Sequence, residues 1–269
     1  MKAEKIINKQ AKELLAKGNL PTAVGVTTVL GVVVMTCIYL SAMLTDALNL
    51  IFETMEITVI ADSLPLYYAL FAFFTIGVLV LALPVFLGAV RFYYTMAKNE
   101  SAGFYEVFHY MARGRYVSTL KSMLRIALSH FWQAVICFLP GILIFITASA
   151  EAAEKDKLDF YNILWYAVSY AMILGGIYFF SFVNAGKFLT MYLIVDIDNI
   201  PAKNALWISE QFMRGYEKSV HRILLRYLPF LVLCLAVIPL LFVIPYVMTS
   251  YAVSAKWIIK LQSKQNEDE

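Results

Sequence analysis

The sequence predicts an all-α fold, a polytopic transmembrane helix bundle with six crossings and cytoplasmic amphipathic helices at the membrane interface. Of the 269 residues, 61% are hydrophobic and 15% are charged, with a mean hydropathy of +0.71, whereas soluble domains hold about 25% charged residues. Long apolar stretches reach the roughly 20 residues that a helix needs to cross the hydrocarbon layer. Basic residues are abundant in every second polar segment, as they are across a membrane. The apolar stretches begin near Thr22, Leu66, Leu124, Tyr161 and Tyr227.

Residues 1–20 are expected to form a cytoplasmic amphipathic helix. Apolar residues fall on one face of this helix and lysines on the opposite face, and Gly18 supplies a stop signal. The apolar face consists of Ile6, Ile7, Ala11, Leu14 and Leu15.

The distribution of charge predicts the orientation. Residues 1–21 hold five lysines, whereas residues 45–65 hold four acidic residues and no basic one. Residues 91–125 and 184–226 each hold six basic residues. Because basic loops stay in the cytoplasm, the N-terminus is expected there, in a multi-pass protein of a bacterial plasma membrane.

The last apolar stretch leaves the number of crossings open. Residues 227–259 contain three prolines and are too long for one untilted helix but barely long enough for two. Lysines near the polar tail at residues 261–269 favour a cytoplasmic C-terminus and hence six crossings, and five crossings with an interfacial last segment are the alternative. The apolar stretch at residues 161–195 is expected to form one long helix, softened at Gly175 and Gly176, whose end near Lys187 projects into the cytoplasm.

Each long basic segment also predicts an amphipathic helix, which either lies along the inner membrane surface or docks beneath the bundle. Trp207, in the second of these helices, is suited to the headgroup region of the membrane. The apolar stripes are Phe104, Val107, Phe108 and Met111 in the first helix, and Ala205, Ile208, Phe212 and Tyr216 in the second.

These two segments predict a parallel internal repeat, residues 84–148 and 180–250, inside a single transmembrane domain at residues 21–260. Residues 111–125 align without gaps on residues 212–226, and both copies run in the same direction. The alternative is chance similarity, since basic residues are common where helices leave a membrane. In the alignment Arg113 falls on Arg214, and Arg91 falls on Lys187.

Polar groups at membrane depth are costly, so each is a candidate for binding. If the two copies face each other, Arg91 and Lys187 present two cations near the inner leaflet, suited to an anionic headgroup or a carboxylate. The alternative is that both side chains reach out to lipid phosphates without forming a site. The binding candidates are Arg91, His130, Asn184, Lys187, Arg113 and Arg214.

The sequence does not predict an enzyme, a metal site or a cofactor. Its three histidines lack the spacing of metal ligands, and no carboxylate falls in the centre of an apolar stretch. A concentrated basic face that would indicate nucleic-acid binding is missing. The expected partners are membrane lipids, including anionic ones, and a protein partner or a second copy of the chain.

Several landmarks resemble an uncharacterised bacterial family of multi-pass membrane proteins, a domain of unknown function. They are PVFLGAVRFYY, FYEVF, RGRY, FLPGILIF, YLIVDID with the following NALWISEQFMRGYEKS, and IPYVMTSYA, within residues 83–259. That family is similar in turn to the membrane portion attached to some glycerophosphoryl diester phosphodiesterases. The acidic segment at residues 151–159 and Asn184 depart from the pattern. The resemblance implies a bacterial inner-membrane fold and brings no established activity.

The function we expect is that of a non-enzymatic membrane protein that associates with lipid or binds a partner as a scaffold or accessory subunit. The alternative is a transporter or permease for a small molecule or lipid. Prolines that interrupt helices in both halves of the chain support this alternative, because broken helices often form transport sites.

Overall fold

The computed structural model is an all-α helical bundle, which confirms the predicted fold class. It describes residues 2–54, 64–112, 114–155, 159–197, 199–233 and 237–267, and none of these residues lies in a β-strand. The α-helices are α1 (Lys2–Leu14), α2 (Leu20–Thr54), α3 (Leu64–Ala97), α4 (Tyr116–Lys155), α5 (Phe160–Ala185), α6 (Thr190–Asp196), α7 (Ala202–Met213), α8 (Glu217–Leu233) and α9 (Val237–Glu267). A 3₁₀ helix occupies Phe104–Met111.

Within the residues that the structure describes, five helical segments are long and apolar enough to cross a membrane, so the chain is a multi-pass membrane protein. The sixth predicted crossing would use α8, whose 17 residues span about 25 Å, slightly less than the hydrocarbon thickness of about 30 Å. The choice between five and six crossings stays a prediction. The five segments are Lys5–Phe52, Leu66–Ala97, Tyr116–Ala152, Phe160–Asp196 and Leu241–Ser263.

The chain divides into two compact units. The first comprises residues 1–124 and 233–257, and the second comprises residues 125–232 and 258–269. The division of the sequence into one membrane domain and a polar tail stays a prediction, and α9 continues as a helix into that tail.

The core of the first unit lies at the C-terminal end of α3. Phe92, Tyr93 and Met96 are almost completely buried there, whereas Phe73 and Ile76, earlier in the same helix, are exposed. This pattern suits a span whose apolar side chains face lipid and whose end packs against other parts of the protein.

Small residues allow α2 to approach α3 closely. Cys37, Ser41 and Thr45 recur at four-residue intervals on α2 and are buried, and α2 packs along α3. The Ser41 and Thr45 hydroxyls donate to carbonyls four residues earlier, at 2.7 and 2.8 Å. Their polar atoms are therefore satisfied inside an apolar interface.

The N-terminal helix is confirmed, and it docks on its own chain. Four of the five predicted apolar residues are buried, and Ile6 is exposed. Contacts with α3 cover part of this face. The regular helix breaks at Gly18, which has a φ of +90°, a value that glycine adopts readily.

The first surface helix is present, but it is a 3₁₀ helix rather than an α-helix. Val107 is buried, whereas Phe104, Phe108 and Met111 are exposed. With three residues per turn instead of 3.6, the predicted stripe does not form one face. Tyr110, one turn after Val107, is buried with it.

The second surface helix is confirmed as α7. Of its predicted stripe, Ala205 is buried, while Ile208 and Phe212 are only half-buried. The expected long helix is α5, which ends at Ala185, close to the expected end near Lys187; a turn at residues 186–189 separates it from the short α6, which covers the rest of the apolar stretch.

Candidate functional site

The helices α4 and α5 form a tight antiparallel pair in the second compact unit. A Cβ atom added to Gly176 would lie 2.5 Å from the carbonyl oxygen of Cys137, so the two helices touch through backbone at this point. The Ser169 hydroxyl donates to the carbonyl of Gly141 at 2.8 Å. These contacts fix the register of the pair and bring the N-terminal part of α4 level with the end of α5.

At this level, His130 on α4 is hydrogen-bonded through Nδ1 to Oδ1 of Asn184 on α5. The Asn184 Nδ2 group donates to the carbonyl of Phe180 at 2.9 Å, which assigns the amide orientation. Because Oδ1 can only accept, Nδ1 of His130 must carry a proton. In the neutral ring Nε2 is therefore an acceptor, and it has no partner among the residues that the structure describes.

Lys187 lies in the turn that follows α5 and reaches back to the same place. Its Nζ atom donates to the Ser129 hydroxyl at 2.7 Å. Within the described part of the chain, no carboxylate lies at ion-pair distance from this half-buried ammonium group, and Glu210 acts on it only as a more distant charge. Since an ammonium group has three N–H donors, two remain for a ligand.

Helix α7 holds the turn that carries Lys187. The buried Ser209 hydroxyl donates to the Gly186 carbonyl and accepts from the Leu189 amide, both at 3.1 Å. On the outer side of α7, a groove of about 370 Å³ is lined by Lys203, Asn204, Trp207 and Ile208.

Arg91 belongs to the first compact unit and has a different environment. Its Nε atom donates to Glu106 at 2.5 Å, and the two side chains are 24% and 10% exposed. The Tyr110 hydroxyl also interacts with the guanidinium group. A Cβ atom on Gly88 would overlap the backbone of the 3₁₀ helix, which holds Glu106 against α3.

Arg91 and Lys187 lie in different compact units, and their expected role as two cations for an anionic headgroup or a carboxylate stays a prediction. Glu106 compensates the charge of Arg91, whereas among the described residues Lys187 has only a neutral hydroxyl partner. Arg113 lies outside the described residues. Arg214 is exposed at the end of α7, and among the described residues no contact joins it to His130.

Sequence reasoning found three members of the cluster, His130, Asn184 and Lys187, and missed Ser129 and Ser209. Serines are common in membrane helices, so their type gives no signal, and their positions become informative only once the helices are paired. A second histidine, His221, was not predicted as a site residue either.

His221 on α8 is only 6% exposed. Its Nδ1 atom lies 3.3 Å from the Ser181 hydroxyl, and its ring packs edge-on against Tyr178 and Phe182 of α5, with centroids 4.8 and 5.5 Å away. These contacts describe an interhelical packing position in the second unit.

Comparison with protein families, with curated proteins and with solved structures finds no match to this chain. Its class therefore rests on its own features. The chain is an all-α, multi-pass membrane protein that places a half-buried lysine, a histidine and an asparagine where α4 and α5 meet the turn before α6.

Proposed function

We propose that this chain is a non-enzymatic membrane protein that associates with anionic phospholipid through Lys187. In this proposal the end of the bundle that carries Lys187 faces the cytoplasm of a bacterial cell, with the N-terminus on the same side. The alternation of basic and acidic segments supports this orientation, and the resemblance to a bacterial membrane family supports the setting.

The observation that carries the proposal is that no carboxylate among the described residues lies at ion-pair distance from Lys187. A half-buried ammonium group without a carboxylate partner is costly unless another anion compensates it. Arg91 shows how the same chain compensates a cation internally, with Glu106 at 2.5 Å. A lipid phosphate is the anion at hand near the end of a membrane span, and lysine is a common phosphate ligand.

The outer face of α7 supports a position at the headgroups. Trp207 is 59% exposed, and Lys203 is exposed one turn before it. Tryptophan is enriched at the membrane interface, and lysines near it attract anionic lipid. Because Ser209 binds α7 to the turn with Lys187, the exposed Trp207 and the Lys187 ammonium group belong to the same region of the protein.

Native mass spectrometry of the full chain, extracted in mild detergent, tests the proposal. The protein should retain anionic phospholipid, and Lys187→Met should weaken that retention by about 10- to 100-fold, the value of one lost hydrogen bond to a charged group. Lys187→Arg should keep most of it. Lys9→Met is the matched control, because the Lys9 side chain is 79% exposed on α1.

Two results would contradict the proposal. One is that the wild-type protein retains no anionic lipid under gentle extraction. The other is that Lys187→Met and Lys9→Met retain the same amount.

The transport alternative has less support from the fold. Pro140 lies inside α4 and Pro245 inside α9, and both helices continue through the proline. The expectation that prolines break helices in both halves therefore fails at these two positions. If Lys187→Met abolished uptake of a solute while lipid retention stayed unchanged, the transport alternative would replace the proposal.

A further inference from the structure

We infer that the headgroup bound at Lys187 carries a hydroxyl group as well as a phosphodiester, as phosphatidylglycerol does. This inference rests on the lipid-binding function proposed above and specifies which lipid the same site selects.

The side chains of His130 and Lys187 lie beside each other near the end of α5. Ser129, which binds the Lys187 ammonium group, directly precedes His130 in α4, and Asn184, which binds the His130 ring, precedes Lys187 by three residues. The charge of Lys187 acts on the imidazole. A ligand held by the two free donors of Lys187 therefore lies beside the His130 ring.

In its neutral form, His130 offers an acceptor and not a second donor to this ligand. The Asn184 amide fixes the proton on Nδ1, because its own Nδ2 is committed to the Phe180 carbonyl. The neutral ring then presents the Nε2 lone pair, which accepts a hydrogen bond from an O–H group. A phosphate oxygen without a proton cannot donate to it.

The charges around Lys187 limit the net charge of the ligand. Glu210 is exposed on α7 and directly follows Ser209, whose hydroxyl binds the turn that carries Lys187, so a ligand with more than one negative charge meets repulsion there. A ligand ammonium group beside His130 would meet the positive charge of Lys187 instead. A single phosphodiester charge with a neutral hydroxyl donor satisfies all three side chains.

The test compares lipids that share charge and chain length. The full chain is given equal amounts of dioleoyl phosphatidylglycerol and dioleoyl phosphatidylethanol, which has the same phosphodiester charge but no hydroxyl group. Native mass spectrometry should show about a five-fold preference for phosphatidylglycerol, the value of one hydrogen bond. Dioleoyl phosphatidylethanolamine should be retained less than either lipid.

His130→Phe should remove the preference and leave Lys187-dependent binding of both anionic lipids. His109→Phe, in the other compact unit, is the matched control and should keep the preference. Equal retention of the two anionic lipids by the wild-type protein would overturn the inference without any variant, and so would a preference for phosphatidylethanolamine.

The failures of the two proposals are distinguishable. If both anionic lipids bind equally and both are lost in Lys187→Met, the proposed function stands and the hydroxyl inference falls. If neither lipid is retained, the proposed function fails first. Displacement of bound phosphatidylglycerol by an equal concentration of soluble glycerol phosphate would also overturn the lipid assignment.

Discussion

Removing the carboxylate of Glu106 should destabilise the protein far more than removing one from the surface. The change Glu106→Gln keeps the shape of the side chain but leaves the guanidinium group of Arg91 without its countercharge. The matched control is Glu13→Gln, which breaks the ion pair between Lys9 and Glu13 on α1.

The geometry of the two pairs sets the expected magnitudes. At 2.5 Å and an effective dielectric constant near 20, the gross attraction between Arg91 and Glu106 is about 7 kcal/mol. At 3.9 Å, with side chains 79% and 56% exposed, the control pair gains about 1 kcal/mol in water. Net losses are smaller, about 3 kcal/mol for a mostly buried pair that loses one partner and below about 0.5 kcal/mol for the exposed helix pair.

Unfolding with sodium dodecyl sulfate in mixed micelles measures both variants against the wild-type protein. The double variant Arg91→Leu with Glu106→Leu completes the comparison. It should be less destabilised than Glu106→Gln, because apolar replacement of both partners leaves no buried charge. Equal shifts for Glu106→Gln and Glu13→Gln, or a double variant worse than the single one, would refute this account of the pair.

Two further substitutions test the packing that positions the candidate site. Gly176→Leu should lower the free energy of unfolding by about 1–3 kcal/mol in the same assay, because its Cβ would press on the Cys137 carbonyl. Gly175→Leu is the control and should be tolerated, since nothing lies within 4 Å of a Cβ at this position. Ser209→Ala should lower the free energy of unfolding by about 1–3 kcal/mol and reduce retention of anionic lipid, because both hydrogen bonds of Ser209 hold the turn at residues 186–189. Unchanged lipid retention would contradict this role.

Hydropathy predicted the spans well and the helix ends poorly, for one physical reason. Apolar composition marks the part of a helix that suits hydrocarbon, but a helix continues through polar residues once its backbone hydrogen bonds are formed. Helix α4 begins at Tyr116, eight residues before the apolar stretch that starts at Leu124, and contains 40 residues. It is about 60 Å long, twice the hydrocarbon thickness of about 30 Å.

The candidate site was predicted as individual residues and not as a cluster. His130, Asn184 and Lys187 each stand out as polar residues near apolar stretches, which is visible in the sequence. Their meeting depends on the register of α4 against α5, which the contact at Gly176 sets. Likewise, nothing in the sequence distinguishes Arg91 from Lys187, because the difference lies in which surface helix places a glutamate within reach.

The connections that follow α3 and α5 share backbone features. Asn99 and Asn199, at the entry to each surface helix, have φ values of 62° and 60°, and Gly114 and Gly215, at the exit, have φ values of 93° and 87°. Asparagine and glycine are the residues that adopt this left-handed conformation most readily. The parallel repeat stays a prediction, and the matching φ values at these positions agree with it.

A difference between the two connections accounts for the carboxylate partner of Arg91 and its absence, among the described residues, at Lys187. Eight positions separate Arg91 from Asn99, whereas twelve separate Lys187 from Asn199, and the longer connection contains the short helix α6. Counted from these asparagines, Glu106 corresponds to Leu206, so the second connection has no carboxylate at that position. Glu210 then acts on Lys187 only at a distance, and the ammonium group that the first connection would have neutralised keeps donors for a ligand.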